Sequence, residues 1–300
     1  MSDIAIIDSH HHLYDRQRNA SPMMQDGTIQ HEKLMGESSA LLNDYRVEDY
    51  LADCTPHGVI KSVHLESDWV AADTVNQTRW LQELADAHGF PHGIVGYADL
   101  GAPDIQAVLE GHMQYPNFRG IRQMLFWHTD PDLRMAKSAD QMDDPDWRRG
   151  YLMLGRLGLA FDHGVNYLQL PMVAALIRDI PEVASVINHV GYPSERNPEA
   201  IEVWRAGLRE VAAYPSARMK MSGIFMTDHD WTVDSIRPFV LETIEAFGPE
   251  RCMFGSNFPV DKLYGSFDRL FSAYYEIVAD FSDDEKRAMF YDTAALVYRL

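Results

Sequence analysis

Residues 6–15 of the chain read IIDSHHHLYD, a short β-branched run that leads directly into three consecutive histidines. Alternate residues of a β-strand share a face, so the pattern predicts that Asp8, His10 and His12 point to one side and His11 to the other. Two imidazoles at the end of a buried strand indicate half of a metal site or an electrophilic pocket. Satisfied histidines at a polar strand end explain the same pattern, and the rest of the chain must distinguish the two.

The composition is that of an ordinary globular enzyme, with 46% hydrophobic and 24% charged residues in a chain of 300. A formal net charge of −19 argues against nucleic acid or an anionic membrane surface as partner, but not against a small anionic substrate. Cys54 and Cys252 lie far apart, which favours a reducing compartment. The first residues lack a signal-peptide pattern, and no apolar run reaches the ~20 residues of a membrane span. We expect a soluble, cytoplasmic protein, and the sequence is compatible with a homo-oligomer.

Short apolar runs alternate with amphipathic stretches along the whole chain, which predicts strands alternating with helices. The predicted strands cover residues 4–8, 59–66, 93–99, 118–122, 159–162, 184–189, 218–222 and 252–255. Eight strand-then-helix units in a chain of this length favour a (β/α)8 TIM barrel, because a doubly wound sheet would need a glycine-rich phosphate loop after its first strand. We expect a single α/β domain that spans residues 1–300.

Three predicted connections are longer than usual, at residues 13–45, 123–146 and 223–232. Each follows a strand, so all three belong to the carboxyl face, where barrel enzymes build their active sites. They predict a lid or a pocket wall. Disorder over residues 16–39 is the competing interpretation of the first connection.

Ionisable and polar side chains recur at the predicted carboxyl ends of the strands. They include His64, Glu66, Arg122, His189, Asn257 and Asp261. A strand that only builds a core has no need to end in such groups, which are rarely buried without a partner. Their recurrence is typical of a barrel active site.

The chain resembles the amidohydrolase superfamily, in the branch of metal-dependent barrel hydrolases that includes sugar lactonases and 2-pyrone-4,6-dicarboxylate lactonase. The stretches that carry the resemblance are residues 8–15, 96–100, 118–123, 187–193, 251–261 and 293–300. The resemblance implies that His10, His12 and His189 act at the catalytic centre and hold the divalent metal, zinc for example, in relatives that use one. It also implies an acid after strand eight that takes a proton from the attacking water.

This chain has Asn257 at the position of that acid. A carboxamide cannot act as a general base near neutral pH, and the loss of a negative charge weakens a divalent metal site. Asp261, four residues on, is either a substitute that folds back or an acid of a turn or helix cap. The three histidines still satisfy a minimal zinc site. Metal-bound and metal-free sites therefore both stay open.

Four further residues are candidates for substrate binding. Arg122 is expected to hold an anionic group of the substrate, because a guanidinium matches a carboxylate, although a structural ion pair is the alternative. His64 lies either in the pocket or outside it. Trp127 and Tyr192 either wall the pocket or belong to the core.

The resemblance implies a lactonase that opens a small sugar-acid or dicarboxylate lactone. A metal-dependent decarboxylase of an aromatic acid is the alternative enzyme, and Asn257 counts against it because that chemistry also uses the strand-eight acid. A non-catalytic small-ligand binder on the same scaffold is the third hypothesis. The retained histidines argue against it. The sequence leaves the particular substrate open.

Overall fold

Eight parallel strands with helices between them form the protein in the computed structural model, which describes residues 4–18, 32–67 and 69–300. The strands pair in sequence order from β1 to β8. Their bounds are β1 Ile6–His11, β2 Val59–Leu65, β3 Gly93–Gly96, β4 Phe118–Met124, β5 Ala160–Gly164, β6 Ala184–Ile187, β7 Ala217–Met221 and β8 Cys252–Phe254. The expected single-domain (β/α)8 barrel is confirmed.

Helices lie between successive strands and after the last one. Their bounds are α1 Glu32–Met35, α2 Val47–Cys54, α3 Thr74–His88, α4 Ile105–His112, α5 Pro145–Leu157, α6 Leu170–Asp179, α7 Pro198–Ala212, α8 Val233–Phe247, α9 Phe267–Ile277, α10 Asp283–Arg287 and α11 Thr293–Tyr298. Ser282 caps α10 in a capping box with Glu285, and a π-helical turn joins α10 to α11. Within the described ranges, no helix is long and apolar enough to cross a membrane.

The three long connections lie after β1, β4 and β7, as predicted. The first is described at residues 13–18 and 32–45. Residues 19–31, on which much of the alternative of disorder depends, lie outside the described residues.

The barrel interior contains a buried ion pair. The Nζ atom of Lys220 on β7 lies 2.7 Å from Oδ1 of Asp162 on β5, and both side chains are fully buried. The same carboxylate accepts hydrogen bonds from the Tyr298 hydroxyl at 3.0 Å and the Asn188 amide at 2.8 Å. Burial lowers the pKa of Lys220 to about 8, and Asp162 opposes that shift. These contacts give both buried charges a partner.

The barrel closes between β1 and the residues that follow β8. The backbone N–H of Asn257 donates to the His10 carbonyl at 2.7 Å, and the N–H of His12 donates to the Phe258 carbonyl at 2.7 Å. Because these bonds continue β1 beyond the end of β8, they place the first two histidines beside Asn257.

The carboxylate of Asp8 reinforces this closure. It accepts hydrogen bonds from the backbone N–H of Ser256 at 2.8 Å and from the Ser256 hydroxyl at 2.6 Å. The Tyr50 hydroxyl of α2 donates to the same carboxylate at 2.9 Å. We call the Asp8–Ser256 contacts, with the backbone bonds of His10 and His12, the closing seam.

Removal of the Ser256 hydroxyl should weaken the closing seam. We expect Ser256→Ala to lower the free energy of unfolding by about 1–3 kcal/mol, because the buried Asp8 carboxylate loses a donor. Denaturant unfolding measures the change. Ser272→Ala, at an exposed position of α9, is the matched control and should stay within about 0.5 kcal/mol of wild type. Equal effects of the two substitutions would contradict the role of Ser256.

Candidate active site

Three histidine rings come together at the carboxyl end of the barrel. The Nε2 atoms of His10 and His12 are 3.3 Å apart, and the ring centroids of His10 and His189 are 4.5 Å apart. His10 lies on β1, His12 just beyond it, and His189 in the turn after β6. All three side chains are buried. The structure therefore brings together the three histidines singled out from the sequence.

Backbone strain is concentrated at this cluster. Residues 189–192 all have positive φ angles, among them 53° for His189 and 47° for Val190, and Asn257 has a φ of 55°. A β-branched residue rarely adopts such an angle, whereas asparagine tolerates it, and each strained residue costs about 1–3 kcal/mol. The indole N–H of Trp204 donates to the Val190 carbonyl at 2.7 Å and holds the turn. Surrounding contacts thus impose the conformation that aims His189 inward.

Hydrogen bonding fixes the tautomer of His12. Its Nδ1 atom lies 3.0 Å from the Leu65 carbonyl oxygen, which only accepts, so Nδ1 carries the proton and Nε2 keeps a lone pair. Burial, reinforced by the positive charge of Arg122, lowers the pKa of His12 well below its ordinary value. Burial, followed by the neighbouring His189 and Lys220, does the same for His10. Neutral imidazoles are therefore favoured at neutral pH.

Arg122 is paired within the protein. Its Nε donates to Glu66 Oε1 at 2.7 Å and its Nη2 to the Glu66 carbonyl at 2.6 Å, while Nη1 lies 3.4 Å from Nε2 of His10. Glu66 thus supplies the partner of a structural ion pair, and the expectation that Arg122 also holds an anionic group of the substrate stays a prediction. This contact was not predicted from the sequence. Strand β3 separates β2 from β4, so the side chains of Glu66 and Arg122 meet only in the closed barrel.

Asp261 folds back, but not to the position expected of a substitute base. Its Oδ1 accepts a hydrogen bond from the Asn257 amide at 2.9 Å, and its Oδ2 accepts one from the backbone N–H of Gly223 at 3.1 Å. Asp261 is buried behind Asn257 and does not line the cavity at this site. Burial raises its pKa well above the usual range. Its contacts orient the Asn257 amide, which corrects its assignment as a catalytic base.

Two residues expected to bind substrate lie outside the cavity, and one lines it. His64 is buried and its Nε2 accepts the backbone N–H of Leu13 at 3.0 Å, so it holds the chain after β1. Trp127 stacks under the Arg134 guanidinium at 4.3 Å and does not line the cavity. Both assignments are corrected. Tyr192 does line the cavity.

The predicted alternation along β1 holds for His10 and His12 and fails at Asp8. The Asp8 carboxylate accepts hydrogen bonds from the backbone N–H of His10 at 3.2 Å and from the Tyr50 hydroxyl at 2.9 Å. His11 stacks on the Tyr50 ring at 3.9 Å. Residues 8 and 11 would face opposite sides of a regular strand. The pairing of β1 with β2 shifts register between Asp8 and His11, which turns both toward α2.

His12, His189 and Arg122 line a cavity of about 400 Å³, within the range of pockets that bind small molecules. Its lining residues are His12, Tyr14, Met35, Leu41, Glu66, Ser67, Trp69, Tyr97, Arg122, Gln123, Met124, Met135, Lys137, Gln141, His189, Tyr192, Met226, Asn257 and Val260. The methionines were not anticipated from the sequence. All four of them fall within the connections at residues 13–45, 123–146 and 223–232, which predicted a lid or a pocket wall.

A family model described as amidohydrolase matches residues 7–300, so the chain belongs to the amidohydrolase family and is a hydrolase. It is 43% identical over 300 residues to a Sinorhizobium fredii protein named y4mH, with 100% of both chains covered. It is 31% identical over 230 residues to an L-fucono-1,5-lactonase of Burkholderia ambifaria, which covers 76% of this chain and 74% of that protein.

The solved structures include a similar barrel with bound zinc. An amidohydrolase from Burkholderia multivorans aligns with a TM-score of 0.82 and 27% identity over 99% of both chains. The likeness supports the fold described above, and the zinc belongs to that protein.

A divalent metal site needs closely spaced ligand atoms and negative charge nearby, and the histidine cluster meets only the first of these needs. Tetrahedral zinc ligands at about 2.0–2.1 Å lie about 3.4 Å from each other, which the His10 and His12 Nε2 atoms match at 3.3 Å. The Arg122 Nη1 atom, however, lies 3.4 Å from His10 Nε2 and would repel a second cation. Asn257 replaces the acid, and no group of three His, Cys, Asp or Glu side chains in the described ranges is arranged to hold a metal ion. The arrangement does not fit a divalent ion.

Restoring the acid should raise the metal affinity of this site. We expect Asn257→Asp to bind more zinc per chain than wild type, because a charged ligand returns at nearly the same side-chain size. Aspartate also tolerates the positive φ angle at this position. Zinc content is measured at matched zinc concentration and pH. Equal occupancy in the two proteins would show that residue 257 is not a ligand position.

Proposed function

We propose that this protein is a lactone hydrolase in which Arg122 and neutral histidines activate the substrate carbonyl. The observation that carries the proposal is the cluster beside the cavity in which Nε2 of His10 lies 3.3 Å from Nε2 of His12 and 3.4 Å from Nη1 of Arg122. His12 and Arg122 line the cavity. The guanidinium of Arg122, a hydrogen-bond donor, thus lies close to Nε2 of His12, an acceptor, in a largely buried site. The similarity to an L-fucono-1,5-lactonase supports the same reaction class.

Arg122 is suited to bind the oxygen of the carbonyl. Glu66 engages its Nε and one Nη2 hydrogen, and Nη1 lies 3.4 Å from Nε2 of His10. A guanidinium has five N–H donors, so others stay available for another acceptor. The negative charge that develops on the carbonyl oxygen would meet donors fixed in place before the reaction starts. Because Glu66 balances the guanidinium, the pair can bind neutral lactones as well as anionic ones.

His12 is suited to take the proton of the attacking water. Its Nε2 lone pair is set by the Leu65 carbonyl on the other side of the ring. Water adds to the carbonyl carbon and gives one proton to Nε2. The ring C–O bond then breaks, and the departing oxygen receives that proton, which yields the hydroxy acid.

The electrostatics change in favour of this transfer as the reaction proceeds. The positive charge of Arg122 helps to lower the pKa of His12 in the free protein. An oxyanion that forms beside Arg122 offsets that charge, so the imidazole becomes a stronger base when it is needed. The ester bond of a lactone is reactive enough to proceed without the strand-eight carboxylate. Amide hydrolysis or decarboxylation would need that carboxylate, so Asn257 in its place favours a lactone as substrate.

The proposal predicts that the charge on Arg122 matters for every lactone. The double variant Arg122→Met/Glu66→Gln avoids a buried unpaired carboxylate, and we expect it to lower kcat/KM by about 10²–10³-fold for neutral and anionic lactones alike. Glu66→Gln alone keeps the guanidinium and should cost less. Turnover is measured from acid release in weak buffer.

Two other outcomes would change the account. A loss confined to anionic lactones would mean that Arg122 anchors a substituent rather than the carbonyl. Equal turnover by the double variant and wild type would mean that the Arg122–Glu66 pair is only structural.

A further inference from the structure

Four methionine side chains line the cavity, and we call Met35, Met124, Met135 and Met226 the methionine wall. They come from four different places: the end of α1, the end of β4, the connection after β4 and the turn after β7. Elements far apart in the sequence thus supply apolar side chains to one cavity, which Trp69 also lines. Methionine is flexible and polarisable, so such a surface accepts apolar groups of varied shape.

Three polar side chains that share this cavity have protein partners, whereas the buried indole N–H of Trp69 has none among the described residues. The Nζ atom of Lys137 lies 2.6 Å from the carboxylate of Asp99. Oε1 of Gln141 accepts the backbone N–H of Lys137 at 3.0 Å, and Oε1 of Gln123 accepts the indole N–H of Trp147 at 2.6 Å. A polyhydroxylated ring would lose water from each hydroxyl and would have to compete with these protein partners for hydrogen bonds, which is costly.

We infer that the preferred lactones carry an apolar alkyl or aryl substituent that packs on the methionine wall. This inference rests on the proposed lactonase activity and specifies its substrate class. The reacting carbonyl lies at Arg122 and the histidines, and the cavity of about 400 Å³ leaves room for a substituent beside a small ring. The relative named L-fucono-1,5-lactonase takes a hydroxylated sugar lactone by its name, so the two proteins would differ in specificity.

Turnover of a graded substrate series tests the inference. We expect kcat/KM to rise about fourfold for each methylene added along γ-methyl-, γ-ethyl- and γ-propyl-butyrolactone, as each buries more apolar surface. γ-Phenyl-butyrolactone should also exceed the unsubstituted parent. An aldono-γ-lactone with the same ring and free hydroxyls should be poorer than all of them. A ranking with the aldonolactone first would overturn the inference and leave the lactonase proposal standing.

Substitution in the methionine wall provides the second arm. Met135→Gln keeps the side-chain length and adds a polar end, and we expect it to lower the ratio of kcat/KM for the phenyl lactone to that of the parent by about tenfold. Met135→Leu should restore most of that ratio. Met113→Gln, at an exposed position on the end of α4, is the matched control and should leave the ratio at the wild-type value. An unchanged ratio in Met135→Gln would overturn the role of the wall. A merely structural role of Met135 would lower kcat/KM for both substrates by the same factor and leave their ratio unchanged.

Binding separates failure of the inference from failure of the proposed function. 5-Phenyl-2-pyrrolidinone and 2-pyrrolidinone are the lactam counterparts of two test substrates, and calorimetry gives their Kd values. If no lactone is opened but the phenyl lactam binds at least tenfold more tightly than the parent, and Met135→Gln removes the difference, the apolar subsite stands while the lactonase proposal fails. Equal Kd values of the two lactams would overturn the subsite.

Discussion

The hydrogen bonds that Asp8 accepts from Ser256 hold the two edges of the barrel together, and the site depends on them. Burial raises the pKa of Asp8, and the donors from Ser256, His10 and Tyr50 oppose that shift. A carboxylate in such a place costs stability unless its donors stay in position. The closing seam therefore fixes β1 against the segment after β8, and this puts the imidazoles of His10 and His12 next to Asn257.

The buried cations near the histidine cluster are paired with carboxylates, and the proposed carbonyl chemistry depends on this pairing. Arg122 pairs with Glu66 and Lys220 pairs with Asp162, so each buried cation has a carboxylate. The cations still lower the pKa values of nearby imidazoles, which burial already lowers. In the proposed reaction, the guanidinium donates to the carbonyl oxygen, and a neutral histidine accepts a proton from the water that adds to the carbonyl carbon. The strained turn at residues 189–192 brings the third ring to them.

The sequence was sufficient for the fold and for much of the site, because both follow from short-range patterns. Strand and helix periods predicted the barrel, and polar residues at strand ends singled out His10, His12 and Arg122. Other features depend on tertiary contacts that no local pattern encodes. The irregular register of β1 turned Asp8 toward α2, and Glu66 meets Arg122 only across the closed barrel. The methionine wall likewise exists only after distant connections converge.

We propose that the guanidinium of Arg122, rather than a bound metal ion, polarises the substrate carbonyl. The direct measurement is the turnover of a neutral lactone by protein treated with a strong chelator, with zinc content determined on the same sample. We expect kcat and KM for the neutral lactone to stay at the values of the untreated protein when zinc is removed. Loss of turnover in step with loss of zinc, and recovery when zinc is added back, would contradict it.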